Sequence, residues 1–387
     1  MPFDRAERLK ALPPYLFAEI DKKKKAAIAA GRDVINLGIG DPDTPTPDFI
    51  VEALASAARD PKNHQYALDS GLPEFRKAAA DWFARRFGVT LDPSSEVYPT
   101  IGSKEAIAHF PLAVLNPGDV ALVPEPGYPP YRAGTIFAGA EPVMMPLLAK
   151  NGFLPDLGAI PAKALKRAKL IYVNYPNNPT AAIAPRDFYV ELVKFAKKHN
   201  LFVASDLAYS EVYFDEKPMS LLEIDGARDV AIEFHSLSKT FNMTGWRVGF
   251  AVGNPQLVGH LGQLKTNLDS GIFQAIQVAG ITALARTDEV TSRMVKIYRG
   301  RRDALVAGLA SAGWTVIPPK AAFYAWIPTP KNLPSTVVAS RLLEEADIVV
   351  TPGIGLGPSG EGYVRAALTV DEKRIREAAG RIAKLKF

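Results

Sequence analysis

The chain has 387 residues, more than one hydrophobic core usually organises, so its length favours a large domain with a smaller one beside it. Hydrophobic residues make up 48% and charged residues 22%, and no apolar run approaches the ~20 residues needed to span a bilayer, which points to a soluble globular protein. A net charge of +5, from 46 basic and 41 acidic residues, is too modest to specify nucleic acid, and the absence of cysteine excludes disulfides and Cys-ligated zinc.

The N-terminus, Met1-Pro2-Phe3-Asp4, shows no basic segment followed by an apolar one, so no secretory signal is expected and the cytoplasm is the default compartment. Lys22 to Lys25 lie in a stretch of helical composition, where a solvated helix face accounts for the charge better than nucleic acid does. Five short apolar runs then alternate with helical stretches: Val120–Val123, Leu170–Val173, Leu201–Ala204, Ala231–Phe234 and Val248–Val252. Each is of strand length and bounded by turn signals, the pattern of buried strands in a mainly parallel sheet with helical crossovers. The expected fold is therefore α/β, with a large three-layer α/β/α domain. Past residue 280 a long charged helix is expected near Val290–Ala312. Trp314–Ile317, Phe323–Ile327 and Tyr363–Leu368 then read as strands of a smaller α+β domain. The expected division is residues 1–48 as an N-terminal arm that joins the small domain, 49–280 as the large domain and 281–387 as the small one. The five histidines contain no i, i+4 pair around a glutamate, so no metal site is expected.

Ligands of open α/β sheets collect beyond the carboxyl ends of the strands, so polar residues just after the apolar runs are the candidates. In Thr100-Ile101-Gly102-Ser103-Lys104 a Gly-Ser turn opens a helix, whose free N–H groups suit an anion. Pro126-Gly127-Tyr128-Pro129-Pro130-Tyr131 fixes an aromatic ring between prolines. Asn174-Tyr175-Pro176-Asn177-Asn178-Pro179-Thr180 makes a stiff turn in which one amide points inward, or is a plain turn. Asp206, in Ser205-Asp206-Leu207-Ala208-Tyr209, is a carboxylate at a strand end or, more simply, a helix N-cap. Ser236-Leu237-Ser238-Lys239 follows a strand and is followed by Arg247-Val248-Gly249. A lysine amine condenses with an aldehyde best when burial or nearby cations suppress its charge, and two hydroxyls with a guanidinium suit a phosphate dianion. Taken alone, Lys239 reads better as a surface lysine in a Ser/Thr-rich loop, while Arg365 in Gly362-Tyr363-Val364-Arg365 also reads as a surface ion pair and Gly40 as a strand-ending turn.

Together these stretches resemble the class I/II aminotransferases of the fold-type I pyridoxal 5'-phosphate (PLP) enzymes, from about Leu12 to the C-terminus. The lysine signature, a small residue, any residue, a small residue, Lys, then Arg-x-Gly, is met in full. The resemblance implies the fold-type I PLP transferase architecture, with Lys239 as the Schiff-base lysine and Ser236, Arg247, Ser103 and Lys104 on the phosphate. It also implies Asp206, thirty-three residues before Lys239, on the pyridine nitrogen; Tyr209 and Asn178 on the ring oxygen; and Tyr128 stacked on the ring. By the same token Arg365 and Gly40 meet the substrate α-carboxylate. Tyr66 reaches the phosphate of a partner subunit, which implies a homodimer with shared sites. One position departs from the family, Ala181 standing where Gly is usual after Asn-Pro-Thr.

A narrower resemblance is to the LL-diaminopimelate aminotransferases, which move an amino group from glutamate to tetrahydrodipicolinate in lysine biosynthesis. It rests on Tyr15–Ile20, Gly102-Ser103-Lys104, Glu233–Lys239 and Asn267–Gln274. It places Tyr15, Lys104, Tyr128, Asn178 and Asn267 around the substrate. Asp69 either pairs with the distal ammonium or is an Asp in a loop before a helix. The same branch holds aspartate, alanine and aromatic aminotransferases, and the scaffold also supports PLP-dependent lyases. A PLP-binding transcription regulator would need a DNA-binding domain ahead of the fold, for which the arm before Leu37 is short.

Overall fold

A computed structural model describes residues 3–13, 16–67 and 70–387, with the backbone alone for residues 16–20. Twelve strands are found among them: β1 Ile35–Asn36, β2 Val97–Thr100, β3 Val120–Glu125, β4 Glu141–Pro146, β5 Ala168–Asn174, β6 Phe202–Asp206, β7 Ala231–Ser236, β8 Gly249–Gly253, β9 Tyr324–Pro328, β10 Ile348–Val349, β11 Thr351–Pro352 and β12 Tyr363–Ala367. Seven form the central sheet in the order β2-β8-β7-β6-β5-β3-β4. The pairs among β3, β4, β5, β6 and β7 are parallel, whereas β8 runs antiparallel to both β7 and β2. The physical reason is length. The twelve residues 237–248 between β7 and β8 are at the lower limit for a crossover and hold no α-helix longer than Leu237–Thr240, and the chain turns back instead. That short return carries Lys239.

Helices cover both faces of this sheet. On one side Ala106, Ile107 and Phe110 of helix Ser103–Val114 and Leu257, Val258 and Leu261 of helix Pro255–Leu268 pack on Ala121, Leu170, Ile232 and Phe234. On the other, Phe75, Trp82 and Phe83 of helix Pro73–Phe87 and Leu192 of helix Arg186–His199 pack on Leu122, Ile171, Val203 and Phe250. Every second residue of a strand serves one face, so consecutive residues such as Leu170 and Ile171 both find a core. Each fully buried side chain of this kind contributes roughly 1.5–3 kcal/mol.

The C-terminal part builds a three-stranded antiparallel sheet, β11-β12-β9, behind the long helix Thr287–Ser311. β1 pairs in parallel with β10, tying the N-terminal segment to this part. The expected strand Trp314–Ile317 does not form. Pro318 and Pro319 remove two consecutive donors, Ile317 is exposed, and Trp314 packs edge-on against Phe387 instead of pairing. The lysine run does lie on a helix, Leu16–Ala29, with Lys22, Lys23 and Lys25 exposed. No helix among the described residues is long and apolar enough to cross a membrane.

Candidate active site

The parallel strands end side by side, with Asn174 of β5 paired in register to Asp206 of β6. Strand order reverses between β3 and β5, the crevice where α/β sheets bind ligands. Asn174 pins that edge. Its Nδ2 donates to the Asp206 carbonyl at 2.8 Å, and its Oδ1 accepts the Asn178 N–H at 2.8 Å. In the turn beyond, Asn177 Oδ1 accepts from both the N–H and the hydroxyl of Thr180. Ala181 then adopts φ +59°, a left-handed conformation that costs a residue with a Cβ roughly 1–2 kcal/mol. The departure from glycine is therefore carried by the backbone angle, while the amides keep their places.

Asp206 does not cap a helix, since none follows it. Its buried carboxylate accepts the Tyr131 hydroxyl at 2.7 Å and the Ala208 N–H at 3.2 Å. Burial pushes its pKa up to about 6 against the pull of those two donors. Tyr131 is held by stacking on Tyr172, with ring centroids 4.9 Å apart, and Tyr128 meets Tyr131 edge-on at 5.8 Å. Tyr128 thus sits beside the group that holds Asp206.

Lys239 lies on the short helix Leu237–Thr240, and its ammonium donates to the Gly40 carbonyl at 2.8 Å. Burial lowers its pKa to about 8; Asp41 opposes the change, and Arg247 and Arg365 add to it. About a tenth of such amines are neutral at pH 7, roughly three hundred times the fraction at the ordinary lysine value. Gly40 cannot carry a side chain, because a Cβ there would fall 1.9 Å from the Tyr324 hydroxyl. That hydroxyl in turn meets the Tyr209 hydroxyl at 3.1 Å. Burial first, then Tyr324, raises the Tyr209 pKa well above its ordinary value, so Tyr209 remains a donor.

Arg365 is 4% exposed and is no surface ion pair. Its Nη1 donates to Asn178 Oδ1 at 2.9 Å, its Nη2 to the Gly38 carbonyl at 2.8 Å, and its guanidinium stands 4.4 Å from the Tyr324 ring centroid. β12 therefore brings a cation to the amide turn at the end of β5. A second cationic corner forms where Arg247 packs against Gly102, whose missing Cβ would lie 2.5 Å from Arg247 Nη2. Gly102 takes φ +72° and precedes helix Ser103–Val114, which has no side-chain cap. Uncapped first-turn N–H groups thus lie beside the Arg247 guanidinium, an arrangement that suits an anion, and Lys104 of the same turn is exposed. Ser236 caps the lysine helix, its hydroxyl accepting the Ser238 N–H at 3.2 Å.

The remaining candidates are elsewhere. Tyr66 is 77% exposed, and its carbonyl accepts from Gln274. Asn267 is exposed on the last turn of helix Pro255–Leu268 and donates to the Gln263 carbonyl of its own helix. Tyr15 and Asp69 lie outside the described residues. Three residues with no assigned role join the site through space: Tyr131, Asn174 and Tyr324. Tyr131 stood within the proline-fixed aromatic turn, and Asn174 opened the amide turn. For Tyr324, 115 residues from Tyr209, no local signal exists.

A family model for aminotransferases of class I and II matches residues 32–382. The chain belongs to this family. The aminotransferase is 55% identical to an LL-diaminopimelate aminotransferase of Syntrophobacter fumaroxidans and 54% identical to one of Aquifex aeolicus, each over 100% of both chains. Among solved structures it is similar to substrate-bound BacF from Bacillus subtilis, with a TM-score of 0.96, 40% identity and coverage of 100% of this chain and 99% of that one. A Thermus thermophilus aspartate aminotransferase mutant superposes with a TM-score of 0.93 at 29% identity, over 99% of this chain and 100% of that one. The fold-type I architecture with its mainly parallel sheet is thus the fold of this enzyme.

Proposed function

We propose that this aminotransferase is an LL-diaminopimelate aminotransferase, moving an amino group between glutamate and tetrahydrodipicolinate in lysine biosynthesis, with PLP as its cofactor. The observation that carries this reading is similarity over 97–100% of the chain, at 52–56% identity, to several relatives of that name from different bacteria. Identity to the aspartate aminotransferase is about half of that. The donor set fits PLP: an anion cup at Gly102 and Arg247, a buried carboxylate at Asp206 and a desolvated amine at Lys239.

When bound, PLP supplies an electron sink for the charge left at Cα of an amino acid. The N–H groups of Ser103 and Lys104, with Ser236 and Arg247, would hold its phosphate, and Asp206 would keep its ring nitrogen protonated. Asn178 and Tyr209 would donate to its ring oxygen, and Tyr128 would cover its face. Lys239, whose charge burial weakens, would hold the cofactor through its aldehyde, and its Nζ would move the proton at the substrate Cα. Arg365, with Gly40 alongside, orients the substrate carboxylate through a planar pair of donors. Tyr66 and Asn267, exposed on one chain, belong in this reading to a neighbouring active site of a cytoplasmic homodimer.

The test is the rate at which each amino acid converts the visible cofactor band. LL-diaminopimelate and glutamate are expected to react about tenfold or more faster than aspartate, alanine or phenylalanine, and Asp69→Ala to erode the preference for diaminopimelate. Comparable rates with aspartate or alanine overturn the assignment.

A further inference from the structure

Lys265 is 1% exposed, the only lysine among the fully buried large side chains of the described residues, and no step above uses it. It projects from helix Pro255–Leu268 between two carboxylates, with Nζ 2.9 Å from Glu105 Oε2 and 2.9 Å from Asp269 Oδ2. An ammonium is taken out of water only where such partners repay its hydration. Glu105, Asp269 and His109 also bring donor atoms within 4.8 Å of one another, but the Lys265 ammonium already occupies the place between the two carboxylates, so the cluster has a cation from within the chain.

Each carboxylate does a second task. Glu105 Oε2 also accepts the Ile101 N–H at 3.1 Å, and Glu105 Oε1 meets His109 Nδ1 at 2.8 Å. The carboxylate therefore reaches back from the first turn of its helix to fix the Ile101–Ser103 turn, where Gly102 takes φ +72° against Arg247. Asp269 Oδ1 accepts the Gly271 N–H at 2.9 Å, closing the turn that follows Asn267, where Gly271 takes φ +82°. One buried charge thus joins the turn that presents the anion-binding N–H groups to the turn leaving the helix of Asn267.

We infer that Lys265 is a positioning residue for the phosphate cup, holding the 101–104 turn in place through Glu105 and anchoring it to the 269–271 turn through Asp269. The inference rests on the reading of Ser103, Lys104 and Arg247 as the phosphate site. A cup of backbone N–H groups discriminates by direction, and rotation of the turn would misalign donors without touching Lys239 or Asp206.

The experiment separates the phosphate from the rest of the cofactor. Cofactor-free protein, unsubstituted or carrying Lys265→Met, is titrated with PLP and separately with pyridoxal, which has the same aldehyde and ring without the phosphate; the visible lysine adduct is followed. Lys265→Met should weaken PLP about tenfold or more, the order of one lost aligned hydrogen bond, and leave pyridoxal within about twofold. A merely structural lysine would weaken both alike, so equal losses, or none, overturn the proposal. If Lys265→Met strands its carboxylates and does not fold, the neutral set Lys265→Met, Glu105→Gln and Asp269→Asn is measured in the same way. Failure of both to fold assigns Lys265 to the core rather than to the cup and also overturns it. An unsubstituted protein with no preference for PLP over pyridoxal overturns the cofactor reading, and the proposal with it.

Discussion

Replacing Asp206 by Asn should stabilise the cofactor-free protein at neutral pH while abolishing useful turnover. Asp206 is buried, and its pKa rises from 3.8 to about 6 because burial outweighs the donors Tyr131 and Ala208. A carboxyl whose folded pKa is raised binds its proton more tightly in the folded state. Its contribution is therefore fully present below about pH 4 and is lost as the pH climbs through about 6. The cost above that window is about 3 kcal/mol. Asn has nearly the same shape and keeps one acceptor for Ala208 and one polar group for the Tyr131 hydroxyl, so it avoids the cost without leaving a hole. Urea denaturation of both proteins, cofactor-free, at pH 4.5 and pH 8 measures the effect. The Asn variant should gain on the parent by about 2 kcal/mol between the two conditions, since part of the cost is already incurred at pH 4.5. Tyr131→Phe removes a hydrogen bond to a charged group, about 1.5–3 kcal/mol, and should move the parent's window upward by about one to two pH units. A stability difference that does not change with pH would show that Asp206 carries no desolvation cost, and the argument for a carboxylate held ready for a protonated ring nitrogen would fall with it.

Substitutions at two other positions probe the backbone and the Arg365 cation. Arg365→Lys keeps the charge but loses the fork that reaches Asn178 and Gly38. The KM for amino-acid substrates should rise about tenfold or more with a smaller change in kcat, and an unchanged KM would remove Arg365 from the carboxylate site. At Ala181, φ +59° and burial oppose each other. Gly relieves about 1–2 kcal/mol of strain but loses a buried methyl and adds freedom to the unfolded chain, so Ala181→Gly should lie within about 0.5 kcal/mol of the parent. Ala181→Val, β-branched in the left-handed region, should lose about 2 kcal/mol or more. Thermal unfolding distinguishes the two, and a tolerated Val would mean that the angle is not held.

The individual strands were legible because a buried parallel strand advertises itself locally. Leu170-Ile171-Tyr172-Val173 has no polar face to hide, and turn residues bound it on both sides. The lysine, aspartate and amide turns were legible for a related reason, since each follows such a strand at a fixed offset. The edge strands β2 and β4 carried weaker patterns, and Trp314–Ile317 carried a misleading one that the two following prolines overrule.

Composition and local pattern thus determined the α/β class, the strand positions around Lys239 and Asp206, and which chemistry each turn could offer. Only the tertiary structure decided which groups meet. The Tyr131 hydroxyl on Asp206, the Tyr324 hydroxyl over Gly40, the Arg365 fork on Asn178 and the Lys265 bridge to Glu105 all join residues far apart in the chain. Such pairings have no local signature, because their free energy comes from desolvating two distant groups against each other, and that happens only once the sheet and its helices have closed around them.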